Sequence, residues 1–339
     1  MPVHIDSHHR DRSRPSHLSH ASSEPLTIGL INNMPDLALQ STERQFVSLL
    51  DAASEGIPIA LSLYSLPGTA TATGVALHGS NSYASVETLR NTRLDGLIVT
   101  GREPMTPNLR DEPYWRSFTK VVDWARDNTY STIWSCLAAH AAVLHMDGIA
   151  RRSSPQKHCG VFECSLASDH PLTAGTGPRF NVPHSRWNGV AEEDLAARGY
   201  QILTRTGDAE VDIFIKQENS LFAFFQGHPE YESDTLLREY RRDVARYLGN
   251  EISTYPSVPR SYLDHATEHR LTTLREQAIS PPAKNVFARV TTAVQNSILE
   301  TMWRAPAIRI YRNWLEYLSE RKQANRQDAP VNAEYSASR

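Results

Sequence analysis

The sequence predicts an α/β fold in which a parallel sheet carries helices on both faces and a helical appendage follows at the C-terminus. Short apolar runs of strand length alternate with longer runs of helical periodicity between residues 26 and 230. Parallel strands need long, usually helical, connections, so this alternation favours a parallel sheet over a series of hairpins. Catalytic and binding residues of such folds lie at the carboxyl ends of the strands.

The predicted elements follow one another in chain order. Five apolar segments are typical of buried strands: residues 26–33, 57–65, 95–101, 132–135 and 222–225. A capping-box pattern at Ser41 predicts the start of the first helix. Apolar residues at helical spacing predict two further helices, over residues 114–128 and 137–146.

The pattern changes beyond residue 250. A Pro-rich stretch at 254–260 precedes helical segments at about 283–303 and 308–322. We therefore expect four segments along the chain: a disordered polar tail at 1–24, the main domain at 25–250, a helical extension packing on it at 251–322 and a disordered tail at 323–339.

Composition excludes several classes of function. The 339 residues carry a net charge of −3, which gives no electrostatic reason to expect binding to nucleic acid or to an anionic membrane. No apolar run reaches the roughly 18 residues that a membrane span needs. The polar, His-rich residues 1–24 lack the apolar centre of a signal peptide.

The cysteine pattern indicates a reducing compartment, which we take to be the cytoplasm. The three cysteines, Cys136, Cys159 and Cys164, are an odd number and form no CxxC pair. Disulfide scaffolds and zinc knuckles both need paired cysteines, so neither a disulfide framework nor a structural metal is expected.

Cys136 stands where a β-rich run becomes an alanine-rich helical run. A strand-to-helix corner holds a nucleophile out above an α/β sheet, and the helix N-terminus offers N–H groups to an oxyanion. His228 ends a second apolar run and Glu230 follows it, which supplies a base and a carboxylate to orient it. The alternative is a buried structural cysteine and an unrelated histidine. Because both elements end apolar strands, the catalytic interpretation is favoured.

A series of motifs extends this pattern over residues 26–320. In chain order they are Ile31-Asn-Asn-Met-Pro-Asp, Thr42-Glu-Arg-Gln, Asp95-Gly-Leu-Ile-Val-Thr-Gly, Tyr114-Trp, Ser135-Cys-Leu-Ala-Ala-His-Ala, Lys157-His-Cys-Gly-Val-Phe-Glu, Pro183-His-Ser-Arg, Gly227-His-Pro-Glu-Tyr, Asp234-Thr-Leu, Glu239-Tyr-Arg-Arg-Asp and Asn313-Trp-Leu. In this combination and order, the chain resembles the homoserine O-acyltransferases, usually called homoserine O-succinyltransferases, of the class I glutamine-amidotransferase-like superfamily. The resemblance implies that superfamily's flavodoxin-like parallel sheet.

The resemblance also implies a reaction in methionine biosynthesis. Cys136 would take an acyl group from acyl-CoA, either succinyl-CoA or acetyl-CoA, as a thioester and pass it to the hydroxyl of L-homoserine. His228 would be the general base and Glu230 its orienting carboxylate. Acyl-CoA is then a co-substrate, no bound cofactor is expected, and a homodimer is one candidate assembly.

Three further residues match positions that contact substrate in this family: Lys157, Ser185 and Arg242. An arginine can hold the α-carboxylate of an amino acid with two hydrogen bonds. Without the resemblance, Lys157 and Ser185 would be ordinary loop residues, and Arg242 a solvated residue of a charged helix.

The acyl pocket is expected beside the nucleophile. By analogy with elbow geometry, the backbone N–H groups of Gly101 and Leu137 would hold the oxyanion. Met105 falls where the family sets acyl preference, with glycine in members that use succinyl-CoA and glutamate in those that use acetyl-CoA. Arg102 would attract a succinyl carboxylate, or it pairs with Glu103 at the surface.

Departures from the family pattern leave alternatives open. Leu137 and His140 stand where the family commonly has Trp and Gln, so an acetyl donor or a serine acceptor is compatible with the sequence. A glutaminase or amidotransferase is an alternative class, but its nucleophile usually lies in Gly-x-Cys-x-Gly, and Cys136 lacks both glycines. A non-catalytic paralogue is the third class, and the intact pair of His228 and Glu230 argues against it.

Overall fold

The computed structural model describes residues 3–5, 24–67, 83–208, 210–279, 285–295 and 301–327. The chain forms two compact units. The first contains the described residues up to Trp134, then Lys216–Ala223 and those from Ile310 onward. The second contains Ser135–Ile215 and Phe224–Arg309.

Strands and helices alternate as the sequence predicts. The strands are β1 (Val3–Ile5), β2 (Leu26–Ile31), β3 (Ile59–Ser65), β4 (Ala84–Ser85), β5 (Gly96–Val99), β6 (Ser131–Ser135), β7 (Arg152–Leu166), β8 (Arg179–Gly189), β9 (Gln201–Ile202), β10 (Thr204–Thr206), β11 (Ile213–Gln217) and β12 (Leu221–Phe225). The α-helices are α1 (Asp36–Ala53), α2 (Trp115–Asn128), α3 (Leu137–Asp147), α4 (Glu192–Ala196), α5 (Thr235–Leu248), α6 (His265–Ile279), α7 (Val286–Val294) and α8 (Arg304–Gln327).

The strands of the first unit form the predicted parallel sheet. Their order is β1-β3-β2-β5-β6-β12, with β4 beside β3. The pairings among β1 to β6 are parallel. Strands β5 and β6 are buried along their whole length, as expected for strands covered on both faces. This confirms the predicted α/β class, a mainly parallel sheet with helices around it.

The last helix packs closely on this sheet. A Cβ atom added at Gly96 in β5 would lie 2.6 Å from Leu318 Cδ1 and 2.9 Å from the Trp314 ring, so glycine lets the helix approach. Trp314 Nε1 also donates a hydrogen bond to Ser131 Oγ in β6 at 3.0 Å. The helix therefore carries core residues of the first unit.

The second unit contains two sets of strands. Strands β11 and β9 lie side by side and run antiparallel. A separate antiparallel sheet has the order β10-β7-β8, in which β7 and β8 form a long hairpin. Helices α5, α6 and α7 share an apolar core, which includes Leu236, Tyr240, Val244, Leu271, Leu274, Val286 and Val290.

Several elements differ from the sequence prediction. Helix α1 begins at Asp36 after Pro35, so the capping box at Ser41 was wrong. Ser41 Oγ instead donates to the carbonyl of Ala38 at 2.9 Å, a bond that accommodates serine inside a helix. Helix α6 was not predicted, since most of its residues are polar and its short buried stripe contains only Leu271, Leu274 and Ala278 as apolar residues. Helix α7 is shorter than the predicted segment 283–303, of which 283–284 and 296–300 lie outside the described residues.

The two predicted tails also contain regular structure. Val3–Ile5 pairs in parallel with β3, and Val3 is buried, because an apolar alternation suits an edge strand. Helix α8 runs to Gln327, five residues beyond the predicted end at 322. Among the described residues, no helix combines the length and the apolar character needed to cross a membrane.

Candidate active site

Cys136 is the single residue between the end of β6 and the start of α3. Its backbone has φ 52° and ψ −113°, a conformation that costs a residue other than glycine about 1–3 kcal/mol. The Cys136 N–H donates to the carbonyl of Phe225, the last residue of β12, at 2.7 Å. The side chain is partly exposed at the N-terminus of α3. The predicted elbow therefore forms, and it presents a thiol where a helix end stabilises negative charge.

His228 and Glu230, three and five residues beyond the end of β12, form a hydrogen-bonded pair. His228 Nδ1 lies 2.8 Å from Glu230 Oε1, and the Glu230 side chain is buried. The His228 N–H donates to the carbonyl of Pro183 at 2.8 Å, which anchors the turn. Cys136 also lies close enough to His228 to raise the pKa of its ring, so the structure brings together all three residues predicted as catalytic.

The charges around His228 favour its protonated form. Burial by itself would lower the pKa of His228, but the neighbouring Cys136 and Glu230 outweigh it and raise that pKa well above its ordinary value. The ring nitrogen that does not bind Glu230 is available to the sulfur. The arrangement can therefore hold a proton on the His228 ring, between Cys136 and Glu230.

Tyr231 fixes the plane of the His228 ring, and sequence reasoning missed it. The two rings stack with centroids 4.3 Å apart and an interplanar angle of 19°. Tyr231 Oη donates to Glu239 Oε1 at 2.7 Å, and its backbone carbonyl accepts from Trp303 Nε1 at 2.9 Å. Burial, together with Glu239 and Glu230, raises the pKa of Tyr231 well above its usual value, so the phenol stays a neutral donor.

His140 in α3 is not a second base. Its Nε2 lies 2.8 Å from Gln226 Oε1, and both side chains are buried. Burial lowers the pKa of His140 to about 4, so the ring is neutral at physiological pH. The pair links α3 to the residue before Gly227, which helps to position the turn that carries His228.

Gly227 is needed because the turn is crowded. A Cβ there would lie 2.4 Å from Val182 Cγ1 and 3.0 Å from both Asp212 Oδ1 and His184 Nε2. The Gly227 N–H also donates to Asp212 Oδ1 at 3.2 Å. The backbone must therefore pass close to a buried polar group.

We expect Gly227→Ala to lower the free energy of unfolding by about 1–3 kcal/mol, because the extra carbon overpacks this turn. Turnover should fall as well, since the shift displaces His228. Urea denaturation and steady-state kinetics measure the two effects. Gly207→Ala is the matched control, because the nearest atom to its Cβ is 3.9 Å away. Equal stability and activity of the two variants would contradict the prediction.

Cys164, His184 and Asp212 are buried, and among the described residues they come closest to a set of metal ligands. His184 Nδ1 accepts from Arg186 Nε at 3.2 Å, which places the ring proton on Nε2, 3.3 Å from Asp212 Oδ1. Asp212 Oδ2 accepts from Thr204 Oγ1 at 2.9 Å. A metal ion bound at Nε2 would have to displace this proton. The three side chains are therefore better explained as polar groups that support the Gly227 turn than as the ligands of a metal ion.

The predicted substrate-binding residues lie on regular elements of the second unit. Lys157 is in β7 and Ser185 is in β8, where it pairs with Cys159, so describing these two as loop residues was wrong. The β7–β8 hairpin was not predicted because β7 contains polar residues and a proline that obscure the strand pattern. Arg242 lies on α5 with its side chain half exposed, and both it and Lys157 bind Asp243.

The residues predicted for the acyl pocket lie in two places. Leu137 is the first residue of α3, directly after Cys136. Gly101, Arg102 and Met105 follow β5 in the first unit. Arg102 lies over the Tyr114 ring at 6.0 Å. The Met105 N–H donates to the buried Glu112 Oε1 at 2.7 Å, while Met105 as a whole residue is 61% exposed.

The chain is similar in sequence to several known proteins. A family described as homoserine O-succinyltransferase matches residues 12–325. The homoserine O-succinyltransferase of Rhodopseudomonas palustris is 44% identical over 315 residues, 93% of each chain. That of Bradyrhizobium japonicum is 45% identical over 296 residues, 87% of this chain and 90% of the relative. A solved glutamine amido transferase from Methylobacillus flagellatus is 14% identical with a TM-score of 0.48, covering 93% of this chain and 99% of its own.

Proposed function

Because the chain belongs to the homoserine O-succinyltransferase family, we propose that it transfers the succinyl group of succinyl-CoA to the hydroxyl of L-homoserine. The observation that most supports this function is that the side chains of Cys136, His228 and Glu230 lie close together at the elbow. Acyl-CoA serves as a co-substrate, and Cys136 carries the acyl group between the two substrates.

In the first half-reaction, the Cys136 thiolate attacks the thioester carbonyl of succinyl-CoA. A new S–C bond forms to Cys136, and the S–C bond to CoA breaks. The CoA sulfur leaves with the electron pair and takes the proton held on His228. The products are a succinyl thioester on Cys136, free CoA and a neutral His228.

The second half-reaction uses the change in charge at Cys136. A thioester carries no charge, so one of the two groups that raise the pKa of His228 is lost, while burial still lowers it. His228 then accepts the proton of the homoserine hydroxyl as its oxygen attacks the thioester. The Cys136 thiolate leaves, O-succinylhomoserine is released, and the starting ion pair is restored.

The remaining assignments follow the same chemistry. We propose that the N–H group of Leu137 holds the tetrahedral oxyanion, while the contribution of Gly101 stays a prediction. Lys157, Ser185 and Arg242 hold the amino acid, since two cations and a hydroxyl suit its α-carboxylate.

Steady-state kinetics of the purified protein test this function. Succinyl-CoA and acetyl-CoA should be paired in turn with homoserine and serine, and free CoA measured with a thiol reagent. We expect the highest kcat/KM with succinyl-CoA and homoserine, and parallel double-reciprocal lines, the mark of a substituted-enzyme mechanism. Ammonia release from glutamine without CoA release would favour the amidotransferase class instead.

Met105 offers a test of donor choice. Met105→Glu should lower the ratio of kcat/KM for succinyl-CoA to that for acetyl-CoA, because the new carboxylate repels the distal carboxylate of succinyl. The exposure of this position screens the repulsion, so we expect an effect of about two- to fivefold. Met105→Gln has the same shape without the charge and serves as the control. An equal loss with both donors would assign Met105 a packing role only.

We further propose a cytoplasmic location, supported by three cysteines that are all free thiols. The homodimer stays a prediction, and sedimentation equilibrium of the full chain would test it.

A further inference from the structure

Asp243 is a carboxylate shared by two cations that are proposed to hold the substrate. Its Oδ2 accepts a hydrogen bond from Lys157 Nζ at 2.8 Å. Its Oδ1 accepts from Arg242 Nε at 3.0 Å and from Arg242 Nη2 at 2.8 Å. Because Lys157 lies in β7 and Arg242 in α5, one side chain connects two separate elements.

Burial distinguishes this group from an ordinary surface ion pair. The side chains of Asp243 and Lys157 are only 11% and 14% exposed. Burial would raise the pKa of Asp243, but Lys157 and Arg242 outweigh it and hold that pKa below its usual value. The carboxylate therefore stays charged, and its three hydrogen bonds to the two cations are strong and directional.

We propose that Asp243 is a positioning residue for the amino-acid substrate, acting through Lys157 and Arg242 without touching the substrate itself. This inference rests on the proposed function. Long cationic side chains lose rotamer freedom when they bind an anion, and Asp243 restrains both before homoserine arrives. The geometry thus favours a low KM for homoserine and has no direct bearing on the acylation of Cys136.

Asp243→Asn tests the proposal because it keeps the shape and removes the charge. We expect the KM for homoserine to rise about 10- to 100-fold, the range expected from losing hydrogen bonds between charged groups. The KM for succinyl-CoA and the burst of CoA released without homoserine should not change. The burst also separates two kinds of failure, since its absence in the unaltered protein would contradict the proposed function itself.

Two further variants make the test specific. Asp234→Asn removes an exposed carboxylate at the start of the same helix, paired with Arg238 at 3.1 Å, and should leave both KM values unchanged. Asp243→Glu keeps the charge but moves it by one methylene, so an intermediate rise in the homoserine KM is expected.

Two results would contradict the proposed role of Asp243. An unchanged homoserine KM in Asp243→Asn, or an equal rise in both KM values, would reduce Asp243 to a structural tie between β7 and α5. Should Asp243→Asn fail to fold, Asp243→Glu decides: a rise confined to homoserine supports the proposal, and an unchanged KM overturns it.

Discussion

Cys136→Ser is expected to abolish acyl transfer, lowering kcat by at least about 10³-fold. A serine hydroxyl stays protonated at neutral pH, whereas the attacking group of this mechanism is a thiolate. The substitution also removes the neighbour that contributes most to raising the pKa of His228, so the ring should hold its proton less tightly. Release of free CoA from succinyl-CoA in the presence of homoserine measures the loss.

The control for this substitution is a second cysteine of the same unit. Cys159 is buried and pairs with Ser185 across the β7–β8 hairpin. Burial raises the pKa of the Cys159 thiol to about 12, so it supplies no thiolate at neutral pH. Cys159→Ala should therefore keep most of the activity. Activity retained in Cys136→Ser but lost in Cys159→Ala would move the nucleophile to the hairpin.

His228→Ala is expected to lower kcat by about 10²- to 10⁴-fold, the usual contribution of a positioned general base. Both half-reactions should slow, because His228 gives its proton to the CoA sulfur and later takes one from the homoserine hydroxyl. Rapid-mixing experiments with each substrate alone and then together separate the two steps. A loss confined to the KM for homoserine would instead make His228 a binding residue.

Glu230→Gln tests whether Glu230 only orients the His228 ring or also raises its pKa. Glu230 is one of the two groups that raise the pKa of His228, so its neutralisation should lower that pKa. The protonated ring is the form that donates to CoA, and it is lost as pH rises through its pKa. The basic limb of kcat/KM for succinyl-CoA should therefore move to lower pH. A profile that does not move would mean that Glu230 orients the ring without tuning it.

The parts of the site that were predicted from sequence depend on local patterns. Cys136 follows a short apolar strand and precedes a helical run, and each pattern is visible within about ten residues of the chain. His228 and Glu230 likewise follow β12 directly. In a parallel sheet, such strand ends carry functional residues whatever the details of packing.

The parts that were missed depend on contacts between distant segments. Trp303 reaches Tyr231 across 72 residues, and Lys157 reaches Asp243 across 86. The spacing of apolar residues within one segment does not predict a contact of this kind. The backbone strain at Cys136 was also not predicted from the sequence, because the surrounding elbow imposes the positive φ on a residue other than glycine.

The covalent intermediate is the central claim, and intact-protein mass spectrometry with peptide mapping tests it most directly. After the protein is mixed with succinyl-CoA in the absence of homoserine and quenched in acid, the mass should increase by one succinyl group. That group should map to the peptide containing Cys136 and disappear when homoserine is added before the quench. A succinyl group on Cys159 or Cys164, or turnover without any labelled cysteine, would contradict the account.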